Sequence, residues 1–307
     1  MLIDDNSDMG NSVRKKTHTV IFGLLFLFFL NSRVAAEENA VVVRGTASMV
    51  HLCQRLISLY QDEVPQASVG VNVADSVQSL VSGRNSIWQS VRPLDRSQKQ
   101  TLETKFGSEP HEIPIAIEGV VVILNPKNPI TDLSITELRS IYLGKTTNWK
   151  DVGGSDLPIR LFSTEALVGG SLFFADLVLH GEDIDTTMQG FTNARETETA
   201  VANDLSGIGL IPLPAGKDVK YPRIRRDAES SAVEATIENI RTLRYPLSSQ
   251  VHWVIAGQHP EAVTQFVRFT LSQKGQLAAE AAGYYPLNPA DRTIAIARVL
   301  SASNLSH

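Results

Sequence analysis

Residues 113–124 (IPIAIEGVVVIL) limit the architecture of this chain more than any other segment. They are almost wholly apolar and rich in β-branched side chains, the composition of a buried strand. The run is long and carries Gly119 at its middle. A strand of this kind is expected to bend at the glycine and pass from one lobe of the protein into another.

Strand and helix patterns alternate on both sides of it. Residues 40–43 (AVVV) read as a buried strand ending in 44–48 (RGTAS), and a helix follows with Met49, Leu52, Cys53, Leu56 and Leu59 on one stripe. Residues 69–73 alternate as a strand, 76–81 form a short helix closed by Gly83, and 87–94 run to a turn at Pro93. Beyond the central run, 136–143 is a helix stopped by Gly144, 159–162 a strand, 171–180 an amphipathic helix and 208–213 a strand. Residues 260–271 and 278–282 are C-terminal helices, with Gly283 as a cap. The alternation predicts an α/β fold with largely parallel sheet.

Composition bounds the function. The 307 residues are 43% hydrophobic and 20% charged, the balance of a folded protein, and the length suggests two domains at roughly 100–200 residues each. A net charge of −5 excludes a broad basic footprint for nucleic acid. The single cysteine, Cys53, excludes an intramolecular disulfide framework and a multi-cysteine metal site, and its place on the helix stripe makes it a core thiol.

The N-terminus reads as an address. Arg14, Lys15 and Lys16 precede an apolar run of eleven residues, 20–30, and Val34-Ala35-Ala36 places small residues for cleavage before Glu37. The run is short for a span, which takes about 20 apolar residues. Residues 1–36 are therefore expected to be a signal peptide, leaving a mature chain of net charge −6. No cysteine follows the run to carry a lipid, so a soluble periplasmic protein is expected.

Enzyme motifs are missing. There is no G-x-S-x-G elbow, no H-E-x-x-H and no phosphate-binding P-loop, and the seven histidines stand at no metal-ligand spacing. What recurs is a strand that runs into a small-residue turn opening a helix, at 45–48 (GTAS) and again at 169–171 (GGS). Such a turn aims unpaired backbone N–H groups at one point, where the helix dipole favours an anion. Ordinary capping by Ser and Thr explains either turn alone.

Five stretches, in order, resemble the periplasmic phosphate-binding protein family of ABC transporters. They are 45–49 (GTASM), 90–94 (SVRPL), 130–149 (ITDLSITELRSIYLGKTTNW), 206–210 (SGIGL), and 245–248 (YPLS) with 251–255, Gly275-Gln276 and 282–284. The resemblance implies the two-lobed type II periplasmic-binding fold, each lobe a mostly parallel sheet flanked by helices, joined by crossing strands. It implies lobe 1 from 37–117 plus 246–307 and lobe 2 from 118–245. It implies a phosphate or related oxyanion held between the lobes and delivered by a monomer to an ABC transporter in the membrane, with no metal or cofactor and no catalysis.

The ligand contacts so implied are Thr46, Ala47 and Ser48 from the first turn, Ser90 from the second loop, and Ser163, Thr164, Gly169 and Gly170 from the other lobe. The chain departs from the family there. Val91 stands where the family carries Asp or Ser, Val168 and Gly170 lack the usual hydroxyls, no arginine precedes them, and Asp75 and Glu165 lie near the loops. Each charge-assisted hydrogen bond lost removes about 1.5–3 kcal/mol, so the losses amount to several powers of ten in affinity. Arg92 matches a family position and is open to two readings, a salt bridge or a ligand contact. A binding module for a different solute, or a sensory or partner-docking domain, is the alternative; a phosphatase lacks the groups for phosphoryl chemistry.

Overall fold

The computed structural model describes residues 40–45, 49–74, 77–82, 85–165, 172–212 and 216–304. The expected signal peptide lies outside them, and no helix among the described residues is long and apolar enough to cross a membrane.

β1 (Val41–Gly45), α1 (Val50–Glu63), β2 (Val69–Val73), β3 (Ser86–Ser90), α2 (Arg96–Phe106) and β4 (His111–Gly119) open the chain. β2 and β3 flank β1 and run parallel to it. α1 packs Leu52, Cys53, Leu56, Ile57 and Tyr60 against the sheet, the stripe anticipated from spacing. α2 was not anticipated, because its sequence (RSQKQTLETKF) buries only Leu102. Its start is local chemistry: Asp95 accepts from the Gln98 amide and the Gln98 side chain accepts from the Asp95 amide.

The central apolar run divides at Val120 into β4 and β5 (Val121–Leu124), which belong to different sheets. Gly119 is needed at the junction because of close packing, not left-handed backbone. An added Cβ would lie 3.0 Å from Ile240 Cγ2 and 3.2 Å from Tyr285 Cε2.

The chain then builds β6 (Asp132–Ser134), α3 (Ile135–Tyr142), β7 (Arg160–Thr164), β8 (Gln189–Phe191), α4 (Ala194–Asn203), β9 (Gly207–Ile211), β10 (Arg223–Arg225) and α5 (Ile237–Arg241). The second sheet has the order β5-β9-β7-β8, and β10 pairs with β6 alone. The expected amphipathic helix at 171–180 is corrected: Leu172–Phe174 is a single α-turn that widens into a π-helix, Ala175–Leu179, closed by His180 at φ 56°.

β11 (Ser248–Ile255) returns to the first sheet between β3 and β4, giving the order β2-β1-β3-β11-β4. α6 (Glu261–Thr270), α7 (Gln273–Ala281) and α8 (Pro289–Asn304) finish the chain. α8 has no counterpart in the sequence reading. Both sheets are mixed: β11 is antiparallel to β3 and β4, and β5 is antiparallel to β9, while the other pairs are parallel. The reason is directional. β5 and β11 start where β4 ends, so they run away from the crossing while their neighbours run toward it.

The two crossing segments are bonded to each other. Ser248 lies opposite Gly119 in the ladder, and the Val120 amide donates to the Leu247 carbonyl at 3.0 Å. Behind them the buried Gln276 side chain donates to Ile115 O (2.8 Å) and Thr270 O (3.0 Å) and accepts from the Leu287 amide (2.8 Å). Gly275 beside it is compulsory, since a Cβ would stand 2.4 Å from the Phe269 and Thr270 carbonyl oxygens.

Candidate functional site

Strand direction decides where the described candidate residues stand. β4 ends at the crossing, and β3 runs in the same sense, so Ser90 lies at the crossing end of the first sheet. β5 begins at the crossing with Val121 opposite Ile211, so β9 ends there. β7 is parallel to β9 with Ser163 beside Leu210, which brings Ser163 and Thr164 to that end of the second sheet. The C-terminal strand ends of both sheets therefore point toward the crossing, the edge at which open α/β sheets bind ligands.

Thr46, Ala47 and Ser48 lie outside the described residues, as do Gly169 and Gly170 and the nearby Asp75. Their flanks are in place. Gly45 ends β1 beside Gln89, with its Cβ position 3.1 Å from Gln89 Cβ, and Met49 is buried at the entry to α1. Glu165 is exposed.

Ser90, Ser163 and Thr164 differ in how they are engaged. The Ser90 hydroxyl donates to the Arg92 carbonyl at 2.6 Å, closing its own turn. Ser163 is fully buried, and its hydroxyl reaches the Leu210 carbonyl only at 3.5 Å. Thr164 is 3% exposed, and its Oγ1 has no hydrogen-bond partner among the described residues. A buried hydroxyl left without a partner is destabilising by about 1–3 kcal/mol. Thr164 shares this condition with other buried polar atoms among the described residues, Tyr142 OH, Tyr245 OH and Trp253 Nε1 included, and differs from them in standing at the crossing end of β7.

Val91 is half-buried. It packs against the hydrophobic core, and its carbonyl accepts the Ser249 hydroxyl at 2.7 Å. Arg92 makes a salt bridge, one of the two roles left open for it: Nη1 lies 3.3 Å from Asp176 Oδ2. Asp176 sits in the π-helix after the second turn. The pair thus joins the loop after β3 to the segment after β7, across the two sheets. Asp176 and Ser249 carry no sequence signal of their own; only the fold brings them here.

Cys53 is a core thiol. Its Sγ donates to Gln89 Oε1 at 2.6 Å, and burial pushes its pKa up to about 12, far from a reactive thiolate. Opposite Ser90 in the ladder stands His252, buried, with burial holding its pKa below the ordinary value. Among the described residues no group of three or more His, Cys, Asp or Glu side chains is arranged to hold a metal ion. A groove of about 530 Å³ with a mixed lining, Ile141, Pro158 and Leu161 beside Thr146, Arg160 and Asp185, opens at the other end of β7.

Two α/β sheets joined by paired crossing strands, with their strand ends converging on the junction, define the type II periplasmic-binding fold. The chain belongs to the PBP superfamily domain family, whose model matches residues 32–274. It is 29% identical over 253 residues to the phosphate-binding protein PstS of Staphylococcus haemolyticus, covering 78% of each chain. A possible phosphate binding protein from Planctomyces limnophilus DSM 3776 has the same fold, with a TM-score of 0.75 at 20% identity, covering 86% of this chain and 98% of that one. A putative phosphate ABC transporter substrate-binding protein from Clostridium perfringens, solved with bound phosphate, matches with a TM-score of 0.54 at 25% identity, covering 81% and 100%.

Proposed function

We propose that this protein is an exported solute-binding protein that captures phosphate, or a closely related tetrahedral oxyanion, and hands it to an ABC transporter in the membrane. The reading rests on the named relatives and on one observation in this chain: a buried threonine hydroxyl at the end of β7, Thr164 Oγ1, with no partner among the described residues. An oxyanion seated at the crossing supplies the acceptor that hydroxyl lacks.

The lobes are assigned as 37–117 plus 246–307 and 118–245, with 1–36 removed on export. Backbone N–H groups of the 45–48 and 169–171 turns converge on the anion, with Ser48, Ser90, Ser163 and Thr164 supplying hydroxyls. The paired strands at 119–121 and 245–248 form the hinge, and closure about it excludes water and presents one shape to the membrane partner. The role is capture without turnover, and it is performed by a monomer.

Calorimetric titration of ligand-stripped protein with inorganic phosphate tests this directly. Saturable heat at micromolar phosphate is the expected result. Silence at millimolar phosphate would end the reading. Val91, a half-buried apolar side chain where the family carries Asp or Ser, favours a second reading in which the cleft takes another solute. Native mass spectrometry of freshly purified protein separates the two by the mass that travels with the chain.

A further inference from the structure

Resting on the oxyanion reading above, we propose that Arg92 is the cation of this site and that Asp176 holds its place until the anion arrives. The second lobe offers no cation at its own turn, since 163–170 (STEALVGG) contains no basic residue. Three arginines in the second half of the fold are committed elsewhere: Arg160 to Asp204 at the far end of β7, Arg225 on β10 to Asp132 and Glu137, and Arg139 on α3 to Glu182. Arg92 instead lies two residues beyond Ser90, on the loop where β3 meets the crossing.

Its backbone is fixed from both sides. The Ser90 hydroxyl holds the Arg92 carbonyl at 2.6 Å, and the Ser249 hydroxyl holds the Val91 carbonyl at 2.7 Å. The side chain is not fixed to the same degree. Its contact with Asp176 runs through a single nitrogen at 3.3 Å, longer than the roughly 2.7–2.9 Å of a strong charge-assisted bond. The guanidinium is 65% exposed and the carboxylate 36% exposed, so the pair is weak and readily exchanged. Guanidinium has five donors in a planar fork, and this geometry leaves most of them uncommitted.

A tetrahedral oxyanion satisfies that fork better than one carboxylate oxygen does, because it accepts two parallel N–H bonds. Arg92 therefore swings from Asp176 to the anion as the cleft fills. Asp176 competes with the ligand for the cation, and it also keeps the empty cleft from attracting indiscriminate anions. The missing second-lobe arginine is replaced from the opposite side of the cleft.

The test is calorimetry with inorganic phosphate on stripped wild-type protein, Arg92→Gln, Asp176→Asn and the double variant, each checked for an unchanged thermal midpoint. Arg92→Gln is expected to weaken binding ~10–100-fold, the loss of one or two charge-assisted bonds. Asp176→Asn is expected to tighten it ~2–5-fold, because a competitor worth a weak surface ion pair is gone. The double variant should bind like Arg92→Gln. If both single variants weaken binding alike, the pair is only a strut between the lobes and the inference fails. Unchanged affinity in Arg92→Gln, with wild type binding normally, overturns the inference and leaves the oxyanion reading standing. Wild type silent toward phosphate overturns both.

Discussion

Ser249, at the start of the returning strand, donates its hydroxyl to the Val91 carbonyl at 2.7 Å. The two residues are 158 positions apart, and the bond ties the hinge to the loop that carries Ser90 and Arg92. Ser249→Ala should lower stability by about 0.5–1.5 kcal/mol, the usual net worth of such a bond. Because the loop loses its anchor, phosphate affinity should fall as well. Denaturant melts and calorimetry on one preparation check both; affinity equal to wild type would show that the anchor is structural alone.

Thr164→Val separates binding from folding. The hydroxyl is buried without a partner among the described residues, so a methyl in its place removes a destabilising group. Stability should hold or rise by up to about 1 kcal/mol, while phosphate affinity drops by about tenfold. A clear loss of stability would mean the hydroxyl is satisfied in the folded protein and has no ligand to await.

Acid should destabilise the protein through its buried histidines. Burial holds His252 below its ordinary pKa, partly offset by Glu112 and reinforced by Arg298 and Lys99. His111 is lowered too, first by burial and then by His259. An unfolded histidine titrates near about 6.5, so as pH falls the unfolded chain takes up protons before the native one. Stability is therefore complete above about pH 6.5 and is lost as pH drops toward the lower native values. Urea midpoints at descending pH should decline from neutrality, and His252→Gln should flatten the decline. A midpoint that rises on acidification contradicts the assignment.

Gln276 is the buried bolt behind the hinge. Its amide satisfies Ile115 O, Thr270 O and the Leu287 amide together. Gln276→Leu leaves those groups unpaired and should lower stability by about 2–4 kcal/mol in equilibrium unfolding. An effect below 0.5 kcal/mol, by the same reckoning, would mean that solvent replaces the amide at no cost.

Much of this arrangement is legible before any coordinates. The apolar run at 113–124, read as one bent strand passing between lobes, is buried as expected but divides into two strands of different sheets, and Leu52, Cys53 and Leu56 are the inner stripe of α1 as their spacing predicts. α2 and α4 escape because their surfaces are polar and each buries little, leaving a faint periodic signal. The helix at 171–180 is misread because apolar spacing does not distinguish an α-turn from the wider π-turn that follows it. Of the three expected site residues that are described, Ser90 and Ser163 are engaged, weakly in the case of Ser163, and Thr164 has no partner among the described residues.

From the amino-acid order alone come the alternation of strands and helices, the crossing run with its central glycine, and hydroxyl-bearing residues at the ends of strands. These are local properties, written in side-chain periodicity and in what a short stretch of backbone can adopt. Only the folded chain decided that Arg92 meets Asp176, that the Val91 carbonyl accepts the Ser249 hydroxyl, and that Thr164 is buried with no hydrogen-bond partner among the described residues. Those outcomes depend on strand direction and on packing between segments far apart in the chain, and a linear pattern carries no record of which distant groups will be pressed together.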